Sequence, residues 1–554
     1  MSATPYRPRT ALATHAVDNQ PPPLVDYNAY SSDVALIDAV RREGGDWGRS
    51  RLEAYGAIAG GELVEIGFDA NENPPALRTF DRYGQRIDEV DFHPAYHRSM
   101  QLAKAHGLHG LTWTAGRDGA QVVRSALFYL HNQMEAGTMC PITMTHACVP
   151  ALRHAPALAE RWLPGILADA YDPACRPIAD KTGLTIGMGM TEKQGGSDVR
   201  ANTTRAVPAG DGMHLLTGHK WFFSAPMCDA FLVLAREADD GLSCFLLPRW
   251  RADDSRNAID IQRLKDKLGD RSNASSEVEF REAEAWRVGE PGRGVPTIID
   301  MVSQTRLDCM LGSAGLMRQA VVQAIHHCRH REAFGARLSE QPLMQHVLAD
   351  MALESEAAMA LSMRLARAFE SDDDSSRLLA RIATPVGKYF VCKTAPPLVN
   401  EAQECLGGAG YVEESILPRL FRQSPLNSIW EGSGNVQCLD MLRAMSRSPD
   451  TLDALEAELA GAAGAHPAYD AHCAHLRTLL RDRAEEPMQA RRVAEAVARA
   501  LQARILLTGA APWVGEAFCA ARLGGDHGIA YGTIGAPLDV AALIERAGVH
   551  HIPA

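Results

Sequence analysis

The apolar pattern of this chain changes period twice, and that order restricts the fold more than any single motif. From about Asp33 to Asp180 apolar residues recur three or four apart, as in Val122, Leu127, Leu130 and Met134, which is helical spacing. Near Leu184 the texture shifts to short runs bounded by Gly, Asp, Asn and Pro: Met213 to Ala225, Ala230 to Ala235, Ser243 to Leu247 and Ser276 to Phe280. Val278 and Phe280 alternate with Glu277 and Glu279, the pattern of a half-buried strand. After Gly294 helical spacing returns, with Ile299, Val302, Leu316, Met317, Val321 and Ile325 in one stripe and Leu343, Val347, Met351, Leu361 and Leu365 in another. Helices, strands and helices in separate blocks predict an α+β chain, not an alternating βαβ one. The expected units are an N-terminal arm and helical domain over 1–183, a β domain over 184–290, an up-and-down helical bundle over 291–446 and a C-terminal helical domain over 447–554.

Composition excludes several classes. Lys plus Arg total 56 against 68 Asp plus Glu in 554 residues, a formal net charge of -12. A chain of that charge is no general nucleic-acid binder, and any DNA contact must be a local patch. The 12 cysteines form no CxxC pair, and the N-terminus lacks the apolar core of a secretory signal. Reduced thiols in the cytoplasm are expected. No run of about 18 apolar residues is present, so no membrane span is expected. There is no GxxxxGK[ST] and no GxSxG, and Gly187-Met188-Gly189 lacks the third glycine of a dinucleotide fingerprint. His326, His327 and His330 lie on one helical stretch without HExxH, so packed or solvated histidines are expected and no metal site.

Three stretches can carry chemistry. Met188 to Asp198 offers hydroxyls, adjacent glycines and exposed backbone donors; it is either a loop for a polar cofactor or an ordinary glycine-rich turn. Trp221-Phe222-Phe223 is a wall for a flat ring or a buried strand. In Ile429-Trp430-Glu431-Gly432 a single carboxylate follows an apolar pair, which suits a general base with a raised pKa; a solvated loop acid is the alternative.

These stretches, with three more, carry a resemblance. Thr191-Glu192-Lys193-Gln194-Gly195-Gly196-Ser197-Asp198 stands where the acyl-CoA dehydrogenase superfamily has TEPxAGSD, and Lys220 to Ser224 stands where it has KxWIT. Leu264 to Gly269 resembles its KLG strand, Arg331 to Gly335 with Gln345 its RxxFG…Q, Leu406 to Tyr411 its LGGxGY, and Trp430 to Ser433 its YEGT. Six blocks occur in family order over residues 185–445. The wording of the first two blocks, the long N-terminal part and the extra C-terminal helices resemble the AidB-type branch.

The resemblance implies FAD held between the β domain and the bundle. It places Met188, Thr191, Gly196, Ser197, Phe222, Phe223, Ser224, Gly407, Gly408, Ser433 and Asn435 at the cofactor. Thr191 would bond the pyrimidine end, and Ser224 would lie near N5. Thr191, Ser197, Ser224 and Arg306 are also expected along the substrate. Arg331 and Phe334 would serve the FAD of a neighbouring subunit, which implies a homo-oligomer, a tetramer by resemblance. Glu431 aligns with the base that removes the α-proton of an acyl thioester while hydride leaves the β-carbon. The sequence departs from the family pattern at Lys193, Phe222, Ser224, Glu404 and Asn435.

Two functions follow from the resemblance: dehydrogenation of a short acyl-CoA, straight or branched, or an alkylation-response flavoprotein that binds double-stranded DNA with little dehydrogenase activity. A third, a helical assembly without cofactor, is opposed by the intact cofactor blocks. From Thr451 onward there are 9 Arg, no Lys and 12 acids, yet 7 of the Arg fall between Arg477 and Arg504. Arg491, Arg492 and Arg499 share a helix face and could meet DNA phosphates, or form a solvated amphipathic face.

Overall fold

A computed structural model describes residues 14–237, 241–483 and 486–549. Helices α1 (Ala120–Met134) and α2 (Met139–Leu152) lie in the N-terminal part, and both are almost wholly buried. The bundle is built on α3 (Gly294–His330), α4 (Pro342–Glu370) and α5 (Asp374–Cys405), followed by the shorter α6 (Gly434–Arg447). In the C-terminal part α7 (Ala490–Leu507) packs against α4, α5 and α6.

The N-terminal part is not purely helical. Strands β1 (Ala76–Phe80) and β2 (Arg86–Asp91) form an antiparallel hairpin. Its turn uses Gly84 at φ +80°, a left-handed conformation that glycine adopts without steric cost. The β domain has β3 (Ile186–Gly189), β4 (Arg205–Gly210), β5 (Met213–Ser224), β6 (Ala230–Arg236), β7 (Leu242–Pro248), β8 (Ile259–Leu264) and β9 (Ser275–Val288). The order is β3-β6-β4-β5-β9-β7, with β8 on β9 and β7 returning to pair β6. The unbroken apolar runs of β6 and β7 fit strands covered on both faces, and Phe231 to Ala235 and Cys244 to Leu247 are fully buried.

Two apolar cores result. One joins the N-terminal helices, the bundle and the C-terminal helices, so Leu501 and Ile505 of α7 share a core with Leu353 of α4. The other joins the β domain to α2 and to the start of α3 through Ile298, Met301 and Val302. Trp430 packs against this second core, which brings the loop holding Glu431 to the β domain.

Candidate active site

The loop after β3 is anchored by its own glutamate. Glu192 is buried and pairs with buried Lys220 at 2.8 Å. It also accepts from the N–H groups of Thr203 (2.7 Å) and Thr204 (3.2 Å) and from Thr204 Oγ1 (2.6 Å). Burial works against the carboxylate, but the Lys220 charge and these donors prevail and bring its pKa down to about 2. So fixed, the loop leaves the amide N–H groups of Thr191, Gly196 and Ser197 without partners among the described residues. Gly196 lies so close to Thr191 that an added Cβ would sit 2.7 Å from its Oγ1.

A register shift between Lys220 and Phe223 in the β5–β9 pairing breaks the strand alternation. Phe222 emerges half exposed, at 51%. Phe223 does not line a cofactor surface as expected: its ring is fully buried against Phe231 and Phe280. Ser224 ends β5 with its hydroxyl 3.2 Å from Ser275 Oγ, and Met188 is nearly buried.

Glu431 sits in a strained loop, at φ 56° and followed by Gly432 at φ 92°. Thr305 of α3 donates to Glu431 Oε2 at 2.6 Å. Oε1 has no hydrogen-bond partner among the described residues, and Glu431 as a whole is half-buried. Burial raises the Glu431 pKa above the ordinary carboxylate value, opposed by the Thr305 hydrogen bond and the charges of Lys388 and Arg306. Thr305 Oγ1 is also 3.0 Å from Val302 O. The hydroxyl can therefore donate to the carboxylate, or turn to Val302 and accept from the protonated acid. Arg306 does not reach the carboxyl; it bonds the Glu431 carbonyl at 3.2 Å and Asp440 at 2.7 Å. Ser433 caps α6 without using its hydroxyl. Thr305, Lys388 and Gln437 were not foreseen as site residues. They lie 126, 44 and 6 residues from the loop atoms they bond.

Arg331 is tied within its own chain, donating to Asn19 O at 2.5 Å. It begins a two-residue hairpin, β10 (Glu332–Ala333) and β11 (Ala336–Arg337), whose tip carries Phe334 fully exposed at φ 54°. Gly407 and Gly408 face open space.

The three C-terminal arginines do not form one free cationic face. Arg499 lies over the Phe390 ring and pairs with Glu495 at 3.2 Å. Arg491 turns to the bundle, donating to Asn435 Oδ1 at 2.9 Å beside Tyr389. Arg492 is exposed with no partner among the described residues.

This donor set fits a flavin. Unpartnered amide N–H groups and neutral hydroxyls suit the polar edge of a flat heterocycle, and exposed Phe222 offers a wall beside it. Residues 19–173 match the model described as Adaptive response protein AidB N-terminal domain. Residues 187–283 match the acyl-CoA dehydrogenase middle domain, and 292–446 match the acyl-CoA dehydrogenase C-terminal domain. AidB of Escherichia coli (strain K12) is 52% identical over 444 residues, 79% of this chain and 82% of that one. The chain belongs to the acyl-CoA dehydrogenase family. Acyl-CoA dehydrogenase family member 11 of Caenorhabditis elegans is 31% identical over 77% of this chain and 72% of that one. The crystal structure of Caenorhabditis elegans ACDH-11 in complex with C11-CoA superimposes with a TM-score of 0.86 at 27% identity, covering 94% of this chain and 95% of that one. As a member of the acyl-CoA dehydrogenase family the chain is an FAD-dependent oxidoreductase. No helix among the described residues is long and apolar enough to cross a membrane.

Proposed function

We propose that this protein removes hydrogen from the α and β carbons of an acyl-CoA thioester, with Glu431 as the base for the α-proton. The observation that carries the reading is the Glu431 carboxyl: its pKa is raised by burial, one oxygen is fixed by Thr305, and the other is free to take a proton. Bound FAD supplies the hydride acceptor. Thr191, Gly196, Ser197, Phe222 and Ser224 would hold the flavin from the β domain, and Gly407, Gly408, Ser433 and Asn435 from the bundle. The C11-CoA complex of the Caenorhabditis elegans protein supports a CoA thioester, and a longer acyl chain than the short one expected from sequence.

A second copy of the chain completes the assembly in this reading. Phe334, Leu343, Tyr411 and Ile429 are large, apolar and more than half exposed, which favours cover by a neighbour, with a tetramer as the expected form. The duplex-DNA reading keeps less support, because Arg491 and Arg499 are engaged on the bundle.

The test is anaerobic addition of acyl-CoAs of graded length to the purified flavoprotein. Loss of the oxidised flavin absorbance with at least one of them is expected. A flavin that stays oxidised with every chain length overturns the reading.

A further inference from the structure

Side chains from three helices converge on the backbone around Glu431. Lys388 of α5 donates through Nζ to Trp430 O and Gly432 O, both at 2.5 Å. Gln437 of α6 donates through Nε2 to Glu431 O at 3.0 Å and Gly432 O at 2.9 Å. Arg306 of α3 adds its 3.2 Å bond to Glu431 O. Every carbonyl from 430 to 432 is thus occupied by the protein. The amide N–H of Glu431 has no partner among the described residues.

Lys388 is the anomaly in this arrangement. It is 1% exposed, and among the described residues its hydrogen bonds go only to those two carbonyls, with no carboxylate at ion-pair distance. A buried ammonium with so little compensation is costly, and an apolar side chain would fill the same space without that cost. The two carbonyls lie on either side of a residue held at positive φ, so the ammonium fixes a backbone turn the chain would otherwise relax. Gly432 follows at φ 92°, a left-handed conformation that glycine adopts without steric cost.

We propose that Lys388, assisted by Gln437, is a positioning residue that holds the Glu431 peptide so that its N–H is kept for the carbonyl oxygen of the acyl thioester. This rests on the acyl-CoA reading above. A donor aimed at that oxygen stabilises the negative charge that develops as the α-proton leaves. The same ammonium also acts on the carboxyl. The groups facing Glu431 are Arg306 and Thr305 of α3, Lys388 of α5, and the thiols of Cys140 (α2) and Cys309 (α3), both kept neutral by burial.

The probe is a 3-thia-acyl-CoA, which can lose its α-proton but has sulfur where hydride would leave. Exchange of its α-hydrogens with deuterated water is followed by mass spectrometry over a pH series on the holoprotein. The parent should exchange them. Lys388→Met should retain FAD but exchange roughly 10²-fold more slowly. Its pH midpoint should move upward, because one opposing cation is gone. Lys388→Arg should recover part of the rate. Exchange at the parent rate and midpoint in Lys388→Met overturns the proposal. If Lys388→Met fails to hold FAD, Gln437→Met decides: it breaks the same clamp without removing a charge, and it must slow exchange without moving the midpoint. Unchanged exchange in Gln437→Met then overturns the proposal. A parent that exchanges nothing contradicts the acyl-CoA reading itself, and the proposal with it.

Discussion

Arg491 Nε donates to Asn435 Oδ1 at 2.9 Å, which ties the C-terminal domain to the first turn of α6, just after the Glu431 loop. A residue that the sequence suggests for DNA phosphates thus meets one that it suggests for the cofactor. Arg491→Gln keeps helix propensity and removes the charge. It should raise the dissociation constant of FAD about tenfold, or about 1.4 kcal/mol. Fluorescence titration of the apoprotein with FAD measures this, and an unchanged constant would separate Arg491 from the cofactor site.

The Glu192–Lys220 pair should control the acid stability of the β domain. The pKa of Glu192 is depressed to about 2, so its contribution is complete above the unfolded carboxylate value, near 4.5, and is lost as pH falls toward 2. Glu192→Gln leaves the Lys220 ammonium buried without its partner and should cost about 3–5 kcal/mol at neutral pH. Denaturant titration of both proteins at several pH values checks this. The difference should shrink below pH 4, and equal stability at pH 7 would contradict it.

Much of the candidate site was legible in the sequence because its parts are contiguous. Thr191 to Asp198 and Trp430 to Ser433 each bring their chemistry in one stretch, and the switch in apolar period at Leu184 and Gly294 marks the β domain. The clamp was not legible, since Thr305 and Lys388 meet the Glu431 loop only when α3 and α5 pack together. Phe223 was misplaced because nothing in three consecutive aromatics announces the register shift that turns Phe222 out and Phe223 in. For Arg499, helical periodicity gives its neighbours on the helix but not that Phe390 lies beneath them. The β1–β2 hairpin escaped because it is short and largely polar.

Thr305 should set the acid limb of the pH profile. Its hydroxyl favours the ionised carboxyl of Glu431 through a charge-assisted hydrogen bond, so it lowers a pKa that burial raises. Thr305→Val removes this support. The pKa should rise further, and the rate of flavin reduction should reach its plateau at higher pH than in the parent. Anaerobic stopped-flow reduction across the pH range measures the shift; superimposed profiles would show that the hydroxyl does not influence the base.

The central claim is that Glu431 takes the α-proton. The measurement that tests it most directly is anaerobic flavin reduction by a reactive acyl-CoA in the Glu431→Gln variant. The amide is nearly isosteric and cannot accept the proton. The variant should bind FAD like the parent, and its flavin should remain oxidised on the timescale in which the parent is fully reduced. Reduction at the parent rate would contradict the account and assign the base to another residue.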